Sequence, residues 1–215
     1  MIKIEKLPKP RVLSDNEEQW TDEYIRRKGG DLSVPKAAET RYRHPDIKST
    51  LRLESHDKCI FCESKISHVF PGETDHIIPS SKKPEYIVKW DNLGYVCKEC
   101  NRNKHNYYDD RVPLLNPFID EPKDYLLFVG PLVFPKPGRI RATTTVEKLK
   151  LDRSALIERK KERLQNVQLL LERLELFPHG SAREFLLEEI EAEADSSREY
   201  SATVRQFLNQ ALAEG

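Results

Sequence analysis

Hydrophobic residues recur at helical spacing over the C-terminal third of the chain. The first apolar stripe consists of Leu164, Val167, Leu171 and Leu174. It covers about three helical turns, and Pro178 ends it because proline lacks a backbone N–H. A capping box of Ser181 and Glu184 predicts the start of a second helix. A further box, Ser196 with Glu199, predicts the start of a third.

The N-terminal quarter has a less regular pattern. Prolines and glycines interrupt residues 1–40, which predicts an irregular arm with one helix over residues 15–28. Residues 47–55 predict a short helix that leads into the centre of the chain.

Short apolar runs in the centre predict strands instead of long helices. We expect strands at residues 59–62, 74–78 and 93–97, with a helix opening near Cys100. Residues 109–150 are rich in proline, and their apolar runs predict extended segments or loops. The expected fold class is α+β, in three regions: an N-terminal arm and helix (1–56), a compact core with following extended segments (57–150) and a C-terminal helical region (151–215).

Composition narrows the class of protein. Of the 215 residues, 38% are hydrophobic and 33% are charged, and the formal net charge is zero. These values are typical of a soluble globular protein. No apolar run approaches the roughly 18 residues that span a bilayer, and the N-terminus lacks the apolar stretch of a signal peptide. We therefore expect no membrane association and a reducing, cytoplasmic location, where paired cysteines more often bind metal than form disulfides.

All four cysteines fall into two Cys-x-x-Cys pairs. The pairs are Cys59 with Cys62 and Cys97 with Cys100, separated by 34 residues. A tight turn at each pair can present two thiolates to one ion, so the pairs together predict a tetrahedral Zn²⁺ site. Such a closed site is structural, since zinc binding to sites of this kind supplies about 10–16 kcal/mol of apparent folding free energy. Four free buried cysteines are the alternative.

A second set of polar residues lies between and just after the cysteine pairs. Asp75 and His76 are adjacent. Asn101 and His105 are four residues apart, so on a helix they share one face. Carboxylate, imidazole and amide groups with open water positions suit Mg²⁺, Mn²⁺ or another borderline divalent ion. The sequence thus predicts a second, open ion site held by Asp75 together with Asn101 and His105.

The order of these motifs resembles the HNH endonuclease family. The matching segments are residues 59–62, 75–79, 92–93 and 97–104. The resemblance implies a core of two strands and a helix around one divalent ion, the ββα-metal or His-Me finger fold. It also implies that His76 is the general base that activates water, that Asp75 is a metal ligand and that Asn92 orients the base. Asn101 stands where the family commonly has histidine, which leaves the last ligand open between Asn101 and His105.

Basic residues near the motifs are candidates for binding nucleic acid. Lys82, Arg102 and Lys104 could neutralise phosphates that flank the reacting one. The alternative is that they are solvated surface charges. DNA is the expected substrate, and RNA stays open as a second one.

A narrower resemblance covers residues 1–177. The segments that carry it are residues 41–45, 59–63, 113–117 and 145–159. They resemble the HNH effector subunits of Septu antiphage defence systems, the PtuB-like family, which is also found beside retrons. The resemblance implies a partner ATPase of the ABC or SMC-like type (PtuA). A retron reverse transcriptase and its msDNA are further candidate partners. The helices after Asp152 are the candidate docking surface, or else they pack only on one another.

The leading prediction is a metal-dependent endonuclease, and two other functions compete with it. A non-catalytic zinc ribbon that binds nucleic acid or protein would need only the cysteines, so the added acid, imidazole and amide groups favour catalysis. A standalone homing or restriction nuclease would be expected to carry a sequence-reading module such as a helix-turn-helix, which is not recognisable here.

Overall fold

The computed structural model describes residues 1–66 and 71–213. Within them the helices are α1 (Arg11–Lys28), α2 (Pro45–Glu54), α3 (Lys98–Lys104), α4 (Ile140–Leu149), α5 (Ser154–Glu175), α6 (Ser181–Ala192) and α7 (Ser201–Ala211). The strands are β1 (Glu73–His76), β2 (Leu93–Val96), β3 (Leu126–Val129) and β4 (Leu132–Pro135). β1 pairs antiparallel with β2, and β3 pairs antiparallel with β4. The predicted α+β class is confirmed.

The centre of the fold is the unit of β1, β2 and α3. In the β1–β2 ladder, Asp75 lies opposite Gly94. β2 leads through Cys97 directly into α3, whose first turn is capped by the Cys97 sulfur, which accepts a hydrogen bond from the Cys100 N–H at 3.4 Å. This is the arrangement of two strands and a helix that the motif order predicted.

Two glycines allow close packing around this unit. A Cβ on Gly94 would lie 2.4 Å from Cδ1 of Ile60, so the turn that carries the first cysteine pair packs directly on β2. A Cβ on Gly72 would lie 2.3 Å from the ring of Tyr95, whose hydroxyl accepts a hydrogen bond from the Gly72 N–H at 3.2 Å. A side chain at either position would push the cysteine turn or the start of β1 away from β2.

Buried side chains form two clusters. The larger extends from Met1 to Tyr200 and includes the cysteines, the residues of β2 and part of α4. The N-terminal arm belongs to it, since the Ile4 N–H donates to the Pro117 carbonyl at 2.9 Å. The larger cluster thus contains residues from all three predicted regions. The division of the chain into these regions stays a prediction. The smaller cluster joins α5, α6 and α7, so these helices do pack on one another.

Three local predictions from the sequence are wrong or incomplete. Residues 59–62 form a turn instead of a strand, because the two sulfurs must converge. The apolar run at 140–146 lies in α4, where Ala142, Val146 and Leu149 are buried at helical spacing. The proline-rich composition of residues 109–150 had predicted an extended segment or loop there. Helix α1 begins at Arg11, four residues earlier than predicted.

The two predicted capping boxes are also wrong. Ser181 is the first residue of α6, and Gly180, at φ 94°, takes the capping position. Helix α7 begins only at Ser201, after Tyr200 at φ 54°. The Glu199 carboxylate instead accepts a hydrogen bond from the Lys65 N–H at 2.5 Å. The apolar stripe of α5 is confirmed, with Leu164, Val167 and Leu174 buried. No helix in the described part of the chain has both the length and the apolar character needed to cross a bilayer.

Candidate active site and metal centres

The four cysteine sulfurs converge on one point. All four lie within 4.8 Å of one another, and Sγ of Cys62 is 3.8 Å from Sγ of Cys97. A tetrahedron of sulfurs around zinc, with Zn–S bonds of about 2.3 Å, has edges of about 3.8 Å. The donor set and the spacing are therefore compatible with the predicted zinc site.

Neighbouring helices support this cluster. The Arg153 guanidinium donates to Sγ of Cys100 at 3.9 Å, which offsets part of the negative charge that four thiolates would carry. Glu63 follows Cys62 and is 2% exposed. Its carboxylate accepts a hydrogen bond from the Ser201 hydroxyl at 2.9 Å, so the start of α7 is tied to the first cysteine turn.

A groove of about 750 Å³ opens beside β1 and α3. The predicted site residues that line it are Asp75, His76, Asn101, Arg102, Lys104 and His105. Its other walls include Tyr42, Arg43, Lys48, Glu73 and Lys98. The fold thus brings the acid, the imidazole, one amide and several cations to one open cleft.

His76 is held as a neutral imidazole. The side chain is 6% exposed, and Nε2 lies 2.7 Å from the Ile87 carbonyl oxygen. Because a carbonyl oxygen can only accept, Nε2 carries the proton and Nδ1 keeps its lone pair. Burial lowers the pKa of His76 to about 4; the Ile87 contact opposes this shift, and the positive charges of Lys104 and Arg43 add to it. The ring is therefore neutral at pH 7, with the lone pair on Nδ1.

Asp75 presents an under-bonded carboxylate in the same groove. Its Oδ2 lies 3.2 Å from Nζ of Lys104, a charge contact without the geometry of a hydrogen bond. Lys104 is itself only 2% exposed. Burial raises the pKa of Asp75, and the Lys104 ammonium opposes that shift. A buried carboxylate oxygen that lacks a hydrogen-bond donor suits coordination of a cation.

Asn101 lies next to β1, where its Nδ2 donates to Oε2 of Glu73 at 2.5 Å. This contact fixes the amide and leaves Oδ1 as its acceptor atom. Glu73 was not among the predicted residues, although the two-residue period of a strand puts it on the same face as Asp75. His105 is exposed and caps α3 at φ 47°, so the helical face expected for Asn101 and His105 ends before it. The choice of last ligand stays a prediction.

Asn92 lies outside the groove lining and acts on the loop that follows His76. The side chain is buried, and its Oδ1 accepts from the Ile78 N–H at 2.8 Å. Its Nδ2 donates to the carbonyls of Ile78 at 3.0 Å and Tyr86 at 3.2 Å. Since Tyr86 precedes Ile87, these bonds hold the carbonyl that contacts the His76 ring.

Comparison with known proteins agrees with this geometry. Residues 59–107 match the HNH endonuclease family, and they include the four cysteines, both strands and α3. We call this segment the HNH domain. The whole chain is similar to the Septu protein PtuB of Bacillus thuringiensis, with 27% identity over 230 residues, 97% of this chain and 82% of that protein. The two resemblances stated from the sequence are confirmed.

The predicted phosphate-binding residues occupy three different settings around the HNH domain. Arg102 is exposed on the groove wall and pairs with Glu99 at 2.5 Å. Lys104 is buried beneath the groove beside Asp75. Lys82 is exposed in the turn after Pro79, outside the groove lining. Their roles in binding stay predictions.

Tyr42 and Arg43 reach the groove from outside the HNH domain. They end a 3₁₀ helix at Lys36–Arg43, and the Tyr42 ring lies 4.5 Å from the ring of His76. In the sequence, this segment was noted only because residues 41–45 resemble the PtuB-like family. That resemblance did not predict a contact between the segment and the site.

Proposed function

We propose that this protein is a metal-dependent HNH endonuclease that hydrolyses phosphodiester bonds of nucleic acid. The observation that carries the proposal is the neutral His76 imidazole beside the under-bonded Asp75 carboxylate in an open groove with cationic walls. A module that used only its zinc site to bind a partner would have no need for a neutral imidazole and a carboxylate on the wall of an open groove.

His76 supplies the general base. Its Nδ1 accepts a proton from the attacking water, while the Nε2 contact with Ile87 holds the ring in one orientation. The imidazolium that forms is buried. Release of the proton to solvent through the groove then restores the neutral ring.

Asp75 and Asn101 are the residues that would hold the divalent ion, with His105 as the alternative last ligand. Mg²⁺ or Mn²⁺ at this point would stabilise negative charge on the phosphate and the leaving oxygen. Oxygen donors from a carboxylate and an amide fit such ions, whereas the four thiolates of the cysteine cluster fit Zn²⁺.

Arg102 contributes positive charge for the flanking phosphates at the groove wall. Lys104, which is only 2% exposed, and Lys82, which lies outside the groove lining, add only to the longer-range positive field. We propose DNA as the substrate, with RNA as the second candidate. The groove is lined by cations from both the HNH domain and the N-terminal segment, which suits a phosphate backbone more than a small molecule.

By similarity to the Septu protein PtuB, we place the protein in an antiphage defence system with an ATPase partner of the ABC or SMC-like type. Three exposed side chains offer apolar surface for such a partner: Leu169 on α5, Leu176 directly after α5 and Phe185 on α6.

Four free cysteines gathered around one point fit a reducing compartment, and we place the protein in the cytoplasm. Association with a retron reverse transcriptase and its msDNA stays a prediction.

Plasmid nicking with Mg²⁺ or Mn²⁺ tests the proposal. We expect His76→Ala to lower the rate by about 10²–10⁴-fold, since loss of a general base has effects of this size. His179→Ala is the matched control because His179 is exposed and does not line the groove. Equal nicking by the wild type and His76→Ala would refute the base assignment. Binding of DNA without any nicking by the wild type, also with its partner present, would favour the zinc-ribbon alternative.

A further inference from the structure

The 3₁₀ helix at Lys36–Arg43 forms one wall of the groove, opposite α3. It lies at least 16 residues before the segment that matches the HNH family. The following residue, His44, caps α2 by accepting a hydrogen bond from the Asp46 N–H at 3.2 Å. Arg41 forms an ion pair with Glu23 of α1. The wall is thus fixed on both sides by helices of the N-terminal arm.

We propose that Tyr42 and Arg43 complete the active site, with Tyr42 positioning the His76 ring and Arg43 binding a phosphate of the substrate backbone. The inference rests on the proposed nuclease function. It adds a contribution of the N-terminal arm to a site whose other residues come from the HNH domain.

Tyr42 gives the imidazole a second contact in addition to the Ile87 carbonyl. The two rings are 4.5 Å apart between centroids, at an interplanar angle of 56°. Such tilted contacts between rings are favourable and directional. The Ile87 carbonyl fixes Nε2, and the Tyr42 ring limits rotation of the imidazole about its bond to Cβ. Together they hold Nδ1 in one direction, as a general base requires.

Arg43 is oriented by the same tyrosine. Its Nε donates to the Tyr42 hydroxyl at 3.0 Å, and its guanidinium carbon lies 5.2 Å from the Tyr42 ring. The side chain is exposed and lines the groove. A guanidinium carries five N–H donors in a planar fork, which suits the paired oxygens of a phosphate. The contact with Tyr42 uses Nε and keeps the fork at the groove.

The two roles predict different kinetic effects on cleavage of a short DNA duplex by the full chain. Arg43→Gln should raise KM about tenfold and change kcat less than threefold, and it should lower the slope of log binding constant against log salt by about one. Arg43→Lys should recover part of the loss. Tyr42→Leu should lower kcat about tenfold and also raise KM, because it removes the hydroxyl and ring that hold Arg43. Tyr42→Phe, which keeps the ring, should retain kcat within about twofold.

Arg11→Gln is the matched control, since Arg11 is highly exposed on α1 and does not line the groove. Thermal melting of each variant checks the fold. If Tyr42→Leu fails to fold, Arg43→Gln still tests whether the N-terminal wall contributes to the site. The exposed Arg43 side chain can be shortened without loss of packing. Wild-type constants in Arg43→Gln would overturn the phosphate contact, and wild-type kcat in a folded Tyr42→Leu would overturn the positioning role.

The His76→Ala variant separates this inference from the proposed function. If His76→Ala is inactive while the variants at 42 and 43 keep wild-type constants, only the role of the N-terminal wall is wrong. If His76→Ala cleaves as well as the wild type, the nuclease site itself is wrong, and the positioning role of Tyr42 is wrong with it.

Discussion

The cysteine cluster and the groove share one helix and differ in nearly every physical property. Cys100 is the last of the four cysteines along the chain, and Asn101, the next residue of α3, lines the groove. The thiols are enclosed and within 4.8 Å of one another, whereas the oxygen and nitrogen donors surround an open volume of about 750 Å³. One helix therefore carries a closed site that fixes the fold and an open site that can admit substrate.

The two sites also differ in their effect on stability. A metal bound by four thiolates stabilises the folded chain, because the unfolded chain has no preformed site. In the groove, burial raises the pKa of Asp75 and lowers the pKa of His76, so both groups resist being charged. At neutral pH the free-energy cost of this burial falls on Asp75, because His76 is mostly neutral in the folded and the unfolded chain alike, and a bound cation would reduce that cost. This contrast is typical of a scaffold that supports a functional site.

The largest expected effect comes from breaking the cysteine cluster. Cys97→Ser should unfold the central unit, because it removes one thiolate from a four-cysteine cluster, and zinc binding to clusters of this kind supplies about 10–16 kcal/mol. Circular dichroism and zinc content by mass spectrometry would measure this. A strong chelator should have the same effect on the wild type. A Cys97→Ser protein that melts at the wild-type temperature without zinc would show that the cluster is not structural.

We expect Asn92→Ala to destabilise the fold less than Cys97→Ser does. Its main effect should be on the rate of cleavage. The change leaves the backbone groups of Ile78 and Tyr86 without their partners, which costs about 1–3 kcal/mol. In a chain of this size, each kcal/mol of lost stability lowers the Tm by roughly 2–4 °C. The loop that carries the Ile87 carbonyl loosens, so cleavage should slow at least tenfold.

Zinc content separates this variant from Cys97→Ser. Asn92→Ala should bind zinc like the wild type, because Asn92 does not contact the cysteine cluster in the described structure. Loss of zinc together with loss of activity would mean that the loop and the cluster fold as one unit, and the division between the two sites would be wrong.

The cysteine spacing and the order of the motifs were enough to predict the closed cluster, the ββα unit and the placement of Asp75, His76 and Asn101 in one cleft. These features involve residue types and spacings that are diagnostic in themselves, such as two Cys-x-x-Cys pairs and an Asp-His pair. The wall formed by Tyr42 could not be predicted in the same way, because a tyrosine and an arginine carry no such signature and the contact with His76 depends on tertiary packing. The start of α6 at Ser181 was predicted within one residue, although Gly180, at positive φ, caps it instead of the Ser181 side chain. The start of α7 at Ser201 was missed, because Tyr200, at positive φ, precedes the helix instead of a side-chain cap at Ser196.

The smallest expected effect distinguishes charges inside the groove from charges beside it. Arg102→Ala should raise KM for a DNA duplex about two- to fivefold and lower the salt slope by about one, because Arg102 lines the groove. Lys82→Ala should change KM less than twofold, since Lys82 is equally exposed but lies outside the lining. The two replacements remove the same charge, so general electrostatic attraction alone predicts equal effects. Equal losses in KM and salt slope would therefore mean that substrate covers a surface wider than the groove, and that Lys82 contacts phosphate as the sequence predicted.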